Sequence, residues 1–337
     1  MKTRSIHRTT LRSGISIAAM ALLSARGQGE TRVVTYLTNW SDIPTITKTI
    51  DYSRISHINV AFENPIDESG NMSFKEEDAT IVSKAHSHKV QVLVSIGGGS
   101  ASEDKPQRER YFRLMSDAKR GAFVAKLAAY VVAHNFDGVD VDIEGPAINK
   151  DYGAFVQDLS AALKAKHKLV TAAVSQGYGG DRVPASVFEL FDFVNVMAYD
   201  ATGPWDPKSP GQHASLEFAK SNATYWVGRG LPKSKIVLGV PFYGWGFGKA
   251  FRSNDYRYAD LIAAYPGAEN MDQTGEKIWY NGVPTIKAKA KYVADEALGG
   301  IMVWPLDYDA PGEKSLIRVI YDTLHAKDSD TASATKE

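Results

Sequence analysis

The segment Asp137-Gly138-Val139-Asp140-Val141-Asp142-Ile143-Glu144 decides the fold. Successive side chains of a strand point to opposite faces. Asp140, Asp142 and Glu144 therefore share one face, and Val139, Val141 and Ile143 share the other. The alternative, an edge strand with a solvated acidic face, conflicts with flanks that read as a buried parallel strand. The apolar set then faces helices, and the acids project in file into the interior of a closed sheet. Burying unpaired carboxylates is costly, so some of these groups must share protons or find donors. Alternate residues stand ~6–7 Å apart, near enough to titrate together. Glu144 ends the file at the C-terminal face, where barrel sites lie.

Seven further short runs of β-branched or apolar residues resemble the one at 138–143: 33–37, 55–62, 90–96, 169–174, 193–197, 236–240 and 300–304. Helix-like segments lie between many of them. In one, Phe123, Leu127, Tyr130 and Val131 fall on one helical face; in another, Phe155, Leu159 and Leu163 do. Eight strands apolar on both faces, alternating with helices, predict an α/β fold, a closed (β/α)8 TIM barrel. No Gly-x-Gly-x-x-Gly opens the first helix, which argues against a nucleotide-binding doubly wound sheet. The 337 residues exceed the ~250 of a typical barrel, so extras are expected. One lies between strands seven and eight, as a small insertion at about 249–285. Within it, Asn281-Gly282 after Ile278-Trp279-Tyr280 signals a hairpin. A helix-like stretch over 286–297 follows.

Charge and composition narrow the function. The chain has no cysteine, which excludes a disulfide framework, a thiolate metal site and a cysteine nucleophile. Lys2, Arg4, Arg8, Arg12 and Arg26 stand in the first 28 residues without a single acid. The remainder carries 34 basic against 39 acidic residues, a poor match to nucleic acid. The basic start leads into Ile17-Ala18-Ala19-Met20-Ala21-Leu22-Leu23 and then small residues. That order predicts a secretory signal peptide over 1–28, a mature barrel over 29–326 and a disordered tail over 327–337. Export to the medium or periplasm follows, with no membrane attachment after processing.

A carboxyl beside other carboxyls keeps its proton to higher pH and can act as a general acid near neutrality. Acid cleavage of an acetal is a natural use, and most glycosidases flank the bond with two carboxyls. Asp200 is a candidate for the second. Tyr36, Trp40, Phe62, Tyr199, Trp205, Tyr243, Trp245 and Trp304 fall at strand ends and loops. They suit the apolar faces of sugars, although Tyr36 and Phe62 fit core packing equally well.

The acid file resembles the DxxDxDxE signature of glycoside hydrolase family 18, the chitinase family. Ser95-Ile96-Gly97-Gly98 resembles its SxGG motif, and Met197-Ala198-Tyr199-Asp200 its MxYD motif. Gly203-Pro204-Trp205-Asp206 resembles the loop that often follows, and Gly299-Gly300-Ile301-Met302-Val303-Trp304 the last strand. The matches run in family order over residues 31–326. The resemblance implies a retaining, substrate-assisted hydrolysis of β-1,4-linked N-acetylglucosamine polymers or oligomers. Glu144 would be the proton donor, and Asp142 would hold the acetamido N–H. Asp140 would share a proton with Asp142, and Tyr199 would orient the acetamido oxygen. Tyr36, Phe62, Met197, Asp200, Trp205, Tyr243 and Trp304 would bind substrate, with Trp304 as floor and Trp205 on the leaving-group side. Asp137 and Ser95 would support them. No metal or organic cofactor is implied, and a monomer is expected.

The chain departs from the family pattern twice. Gly145-Pro146 follows the glutamate, where the family often has an aromatic residue, and Trp245 follows Tyr243-Gly244, where many members have arginine. Other family readings are an endo-β-N-acetylglucosaminidase acting on N-glycans or peptidoglycan, and a chitin-binding lectin. Lectins usually lose the acid glutamate, which is present here. The pair His86-Ser87-His88 reads as a solvated helix end, the sequon at Asn222 as chance, and Asp307 and Asp309 as loop caps. The leader predicts that protein recovered outside the cell begins near residue 25–30 by N-terminal sequencing. An intact Met1 on the exported protein would contradict it.

Overall fold

The computed structural model describes residues 31–326. The expected leader and tail lie outside the described residues. In chain order the strands are β1 (Arg32–Thr38), β2 (His57–Ala61), β3 (Gln91–Gly97), β4 (Gly138–Asp142), β5 (Leu169–Val174), β6 (Phe193–Val196), β7 (Ile236–Pro241), β8 (Tyr243–Gly246), β9 (Tyr256–Arg257), β10 (Gln273–Thr274), β11 (Ile278–Trp279) and β12 (Gly300–Trp304). Eight of them close into a barrel in the order β1-β12-β7-β6-β5-β4-β3-β2. Every neighbouring pair in it is parallel. The eight runs read from the sequence are these eight strands.

The barrel separates two cores. Leu37, Val60, Val94, Ile96, Val139, Val141, Ile143, Val170 and Val194 point outward and join the buried faces of the helices. The helices Arg120–Ala133 and Tyr152–Lys164 contribute Phe123, Leu127, Val131, Phe155, Leu159 and Leu163 to that layer. Full burial of each such side chain contributes ~1.5–3 kcal/mol before entropy is charged against it. Inside the barrel a smaller cluster holds Val34, Tyr36, Ala61, Ala173, Phe193, Val237 and Met302. The alternation of β4 follows from this division: its valines complete the outer layer, and its aspartates have nowhere to point but inward.

The extra segment after β7 forms a four-stranded sheet in the order β10-β11-β8-β9. It begins earlier than the expected 249, because β8 pairs with β9 and β11 directly after the barrel strand. The hairpin signal at Asn281-Gly282 is misplaced. The chain reverses one turn earlier, between Thr274 and Ile278, where Gly275 has a φ of +55°. Asn281 instead donates to the Ala214 carbonyl at 3.0 Å and accepts from the buried Lys289 Nζ at 2.7 Å. Gly282 caps the helix Val283–Asp295, whose first turn holds Pro284. A proline that starts a helix and an asparagine already committed to two partners leave no turn to make.

The weaker signals also find places. His86 Nε2 lies 2.8 Å from Asp137 Oδ2, while His88 stacks on Tyr52 at 4.7 Å, so the two histidines diverge. Asn222 is buried in the helix Leu216–Gly228 and donates to the Phe218 carbonyl. Asp309 accepts from Ser315 Oγ at 2.6 Å and Leu316 N at 2.8 Å at the start of the helix Leu316–Leu324. Asp307 ties β12's exit to β1 through Thr38 and Ser41.

Gly97 ends β3 against β4 with a φ of +108°. A Cβ there would stand 2.2 Å from the Asp142 carbonyl oxygen, which is backbone and cannot yield. Gly97→Ala should lower stability by about 2–4 kcal/mol through strain and overlap together, read as a clear fall in the thermal midpoint. An unchanged midpoint would contradict the close β3–β4 approach.

Candidate active site

Asp140 lies at the centre of the barrel with no exposed surface. Its Oδ2 accepts from Tyr36 Oη at 2.6 Å and Ser95 Oγ at 2.8 Å. Its Oδ1 accepts from Thr171 Oγ1 at 2.6 Å and Asn195 Nδ2 at 3.1 Å. Burial pushes the Asp140 carboxyl above the usual range, and the four donors pull it back. Each oxygen already accepts two hydrogen bonds, so a proton there would have to displace a donor. Asp140 is therefore the ionised member of the file. The donors come from β1, β3, β5 and β6.

Asp142, one step up β4, is the opposite case. It is buried, and no hydrogen bond fixes its carboxyl; its Oδ1 is a buried acceptor without a partner. Burial first, then the charges of Glu144 and Asp140, hold its pKa well above the carboxylate range. Burial and its acidic neighbours thus favour the neutral form of the Asp142 carboxyl. No hydrogen bond joins Asp140 to Asp142; the acceptor sites of Asp140 are filled from other strands.

Glu144 is partly exposed just beyond β4. Burial, followed by the negative charges of Asp200 and Glu103, raises its pKa to about 7. A carboxyl with that value can give or take a proton near neutral pH. Tyr199 has its phenol pKa raised, by burial first and then by Asp142, Asp200, Glu144 and Asp140, so it remains an O–H donor. Its ring has room because β7 carries Gly239, whose Cβ would lie 3.0 Å from Tyr199 Cε1.

Asp200, with a φ of +61°, is held through one oxygen. Tyr243 Oη and Trp245 Nε1 donate to its Oδ1 at 2.7 and 2.9 Å, and His213 Nδ1 lies 3.2 Å from the same atom. The aromatic residues form a second group. Trp304 stacks on Phe62 at 5.8 Å, Phe62 on Trp40 at 6.4 Å, and Tyr36 meets Trp304 edge-on at 5.5 Å. Trp40 is exposed. Gly98 makes this possible, since a Cβ there would overlap the Phe62 ring. Trp205 is exposed and packs edge-on to Trp245 at 5.6 Å. Met197 is half-buried against the inner cluster.

Three sequence expectations land elsewhere. Asp137 is not in the site: it stands at the other end of β4, where its Oδ2 accepts from Val92 N at 2.8 Å and pairs with His86. Tyr36 and Tyr243 are buried, at 1% and 3% exposure, and spend their hydroxyls on Asp140 and Asp200. Thr171, Asn195 and His213 were not singled out. Thr171 and Asn195 share the inward alternation of β5 and β6, a signal that was available. His213 lies in a loop with no period to mark it.

Residues 32–309 match the family model described as Glycosyl hydrolases family 18. Mouse chitotriosidase-1 is 26% identical over 86% of this chain and 76% of its own length. A family 18 chitinase from the chitin utilization locus of Flavobacterium johnsoniae superposes with a TM-score of 0.80. It is 36% identical over 88% of this chain and 94% of that one. A chitinase from Bacteroides thetaiotaomicron gives 0.78, with 26% identity over 88% and 97%.

The raised pKa of Glu144 has a consequence for stability. Folding holds its proton more tightly than the unfolded chain does, so this group's stabilisation is present below pH ~4.5 and lost as pH rises through about 7. Glutamine cannot ionise. Glu144→Gln should therefore unfold at higher temperature than the parent at pH 8, with the gap closing toward pH 4.5. A gap independent of pH, or of opposite sign, would contradict the buried carboxyl.

Proposed function

The chain belongs to the glycosyl hydrolases family 18, and on that premise we propose that this glycoside hydrolase is an exported chitinase. Its substrate is a β-1,4-linked polymer or oligomer of N-acetylglucosamine. The names of its relatives support the substrate, and the basic, apolar, small-residue order of the first 28 residues supports export. One observation carries the mechanism: a buried Asp142 whose Oδ1 has no partner, set between an Asp140 that accepts four hydrogen bonds and a Glu144 with a pKa raised to about 7.

A sugar lies over Trp304, with its hydroxyls against Asp200, whose Oδ1 is fully engaged and whose Oδ2 remains to accept. Glu144 gives its proton to the glycosidic oxygen as the bond to the anomeric carbon breaks. The acetamido oxygen of the same sugar, oriented by the Tyr199 hydroxyl, closes on that carbon to form an oxazolinium ion. Asp142 has no hydrogen bond to surrender when it turns. It accepts the acetamido N–H on its unpartnered oxygen and lies beside the positive charge as it develops. Glu144, now a carboxylate, removes a proton from water as the water attacks the anomeric carbon and the bond from that carbon to the acetamido oxygen breaks, which restores the acetamide. Two displacements at one carbon retain its configuration.

The test is a product profile on chitin oligomers beside a high-mannose glycoprotein. Oligomers should be cleaved and the glycoprotein left intact; the reverse would overturn the chitinase reading. Glu144→Gln should lower turnover by ~10²–10⁴-fold while sugar binding persists, and kcat/KM of the parent should fall above pH about 7 as the donor ionises. Oligomers stripped of their acetyl groups should not be cleaved. Equal turnover on them would overturn the acetamido step.

A further inference from the structure

A second pair of buried acids lies outside the file on β4. Glu63 follows Phe62 at the exit of β2, and Asp78 stands in the first turn of the helix Glu76–Ser87. Glu63 Oε1 accepts from Asn39 Nδ2 at 2.9 Å and from Lys75 N at 3.1 Å. Asp78 Oδ2 accepts from the same Asn39 amide at 3.5 Å. The other oxygen of each, Glu63 Oε2 and Asp78 Oδ1, is buried and receives no donor. Yet the two carboxyls hydrogen-bond each other. Carboxylates only accept, so this contact requires a proton on one of them. Burial first, then the contact with Glu63 and its charge, raise the Asp78 pKa to about 8; the Asn39 amide and the Lys75 charge oppose the shift.

The pair sits at the base of the aromatic wall. Asn39, whose amide bridges the two carboxyls, precedes Trp40, and Glu63 follows Phe62; the two rings stack on one another. Asn39 Nδ2 also lies 3.4 Å from the Phe62 carbonyl, and Lys75 Nζ donates to the Asn39 carbonyl at 3.0 Å. Tyr130 and His134 face the pair from the helix Arg120–Ala133 and its C-terminal end. Burial first raises that phenol and lowers that imidazole, so both are neutral from pH 7 to 9.5. Glu76 and Glu77, in the same turn as Asp78, are exposed. We propose that Glu63 and Asp78, with one proton between them, form a lock that positions the Trp40–Phe62 wall against the substrate, and that removal of the proton slackens it. Both are positioning residues, acting through Asn39 and the backbone of Phe62. Two facing negative charges without a donor would push the exits of β1 and β2 away from the helix. Because folding raises this pKa, the lock is closed through acid and neutral pH and is lost as pH rises through about 8. The inference rests on the chitinase reading, which supplies the sugar that the wall faces.

The experiment measures binding in the Glu144→Gln background, where the residue at 144 cannot titrate and the sugar is not cleaved. The Kd of N-acetylchitohexaose is recorded by calorimetry from pH 6.5 to 9.5. It should rise roughly tenfold over that range. Adding Asp78→Asn, whose amide can donate to Glu63 and still accept from Asn39, should hold Kd at its pH 6.5 value throughout. Adding Glu63→Gln, which can donate to Asp78, should flatten the profile in the same way. A Kd that does not change with pH before either addition, or an equal rise in both added variants, would overturn the lock and leave the chitinase reading standing. No binding at any pH, with a parent inactive on the hexamer, would overturn the chitinase reading and the lock with it.

Discussion

One ionised carboxylate, sealed at the centre of the barrel, sets the rest of this site. Asp140 accepts four hydrogen bonds from β1, β3, β5 and β6. A buried charge is tolerable only with such a set of donors. The donors are spread over half of the barrel, so the charge also fixes how those strands register around it. Tyr36 Oη also accepts from Asn195 at 3.2 Å, which links the donors to one another.

A fixed negative charge beneath Asp142 makes a second one next to it costly. Asp142 is left unpinned, with its neutral form favoured by burial and by the charges of Glu144 and Asp140. Glu144 feels Asp200 and Glu103 in addition to its own burial. Asp200 in turn is held by Tyr243, Trp245 and His213, so the loop after β6 and the sheet after β7 act together on the upper end of the same electrostatic column. Trp245 stands where the family often has arginine. It supplies a hydrogen bond to Asp200 without a positive charge.

The sequence made the barrel legible because β-strand alternation is a strong pattern. Valines and aspartates at Val139, Asp140, Val141 and Asp142 can satisfy both faces in only one way. The motif around Asp137 misled for a geometric reason. Seven residues of strand rise ~23 Å, so Asp137 and Glu144 belong to opposite ends of the barrel although they share one signature. Tyrosines were ambiguous in a different way: the residue type gives a ring for a sugar and a hydroxyl for a carboxylate, and burial decides which is used. Thr171 and Asn195 point inward because of the register of β5 and β6, which a run of apolar residues does not reveal. The Glu63–Asp78 contact joins a strand exit to the start of a helix, and no local pattern encodes it.

The charge arrangement inside the barrel can be observed directly by neutron crystallography of the protein at about pH 6. Deuterons should appear on the Asp142 and Glu144 carboxyls, with none on Asp140 and with the hydroxyls of Tyr36, Ser95 and Thr171 directed at its oxygens. A deuteron on Asp140 beside a bare Asp142 would contradict the account at its base.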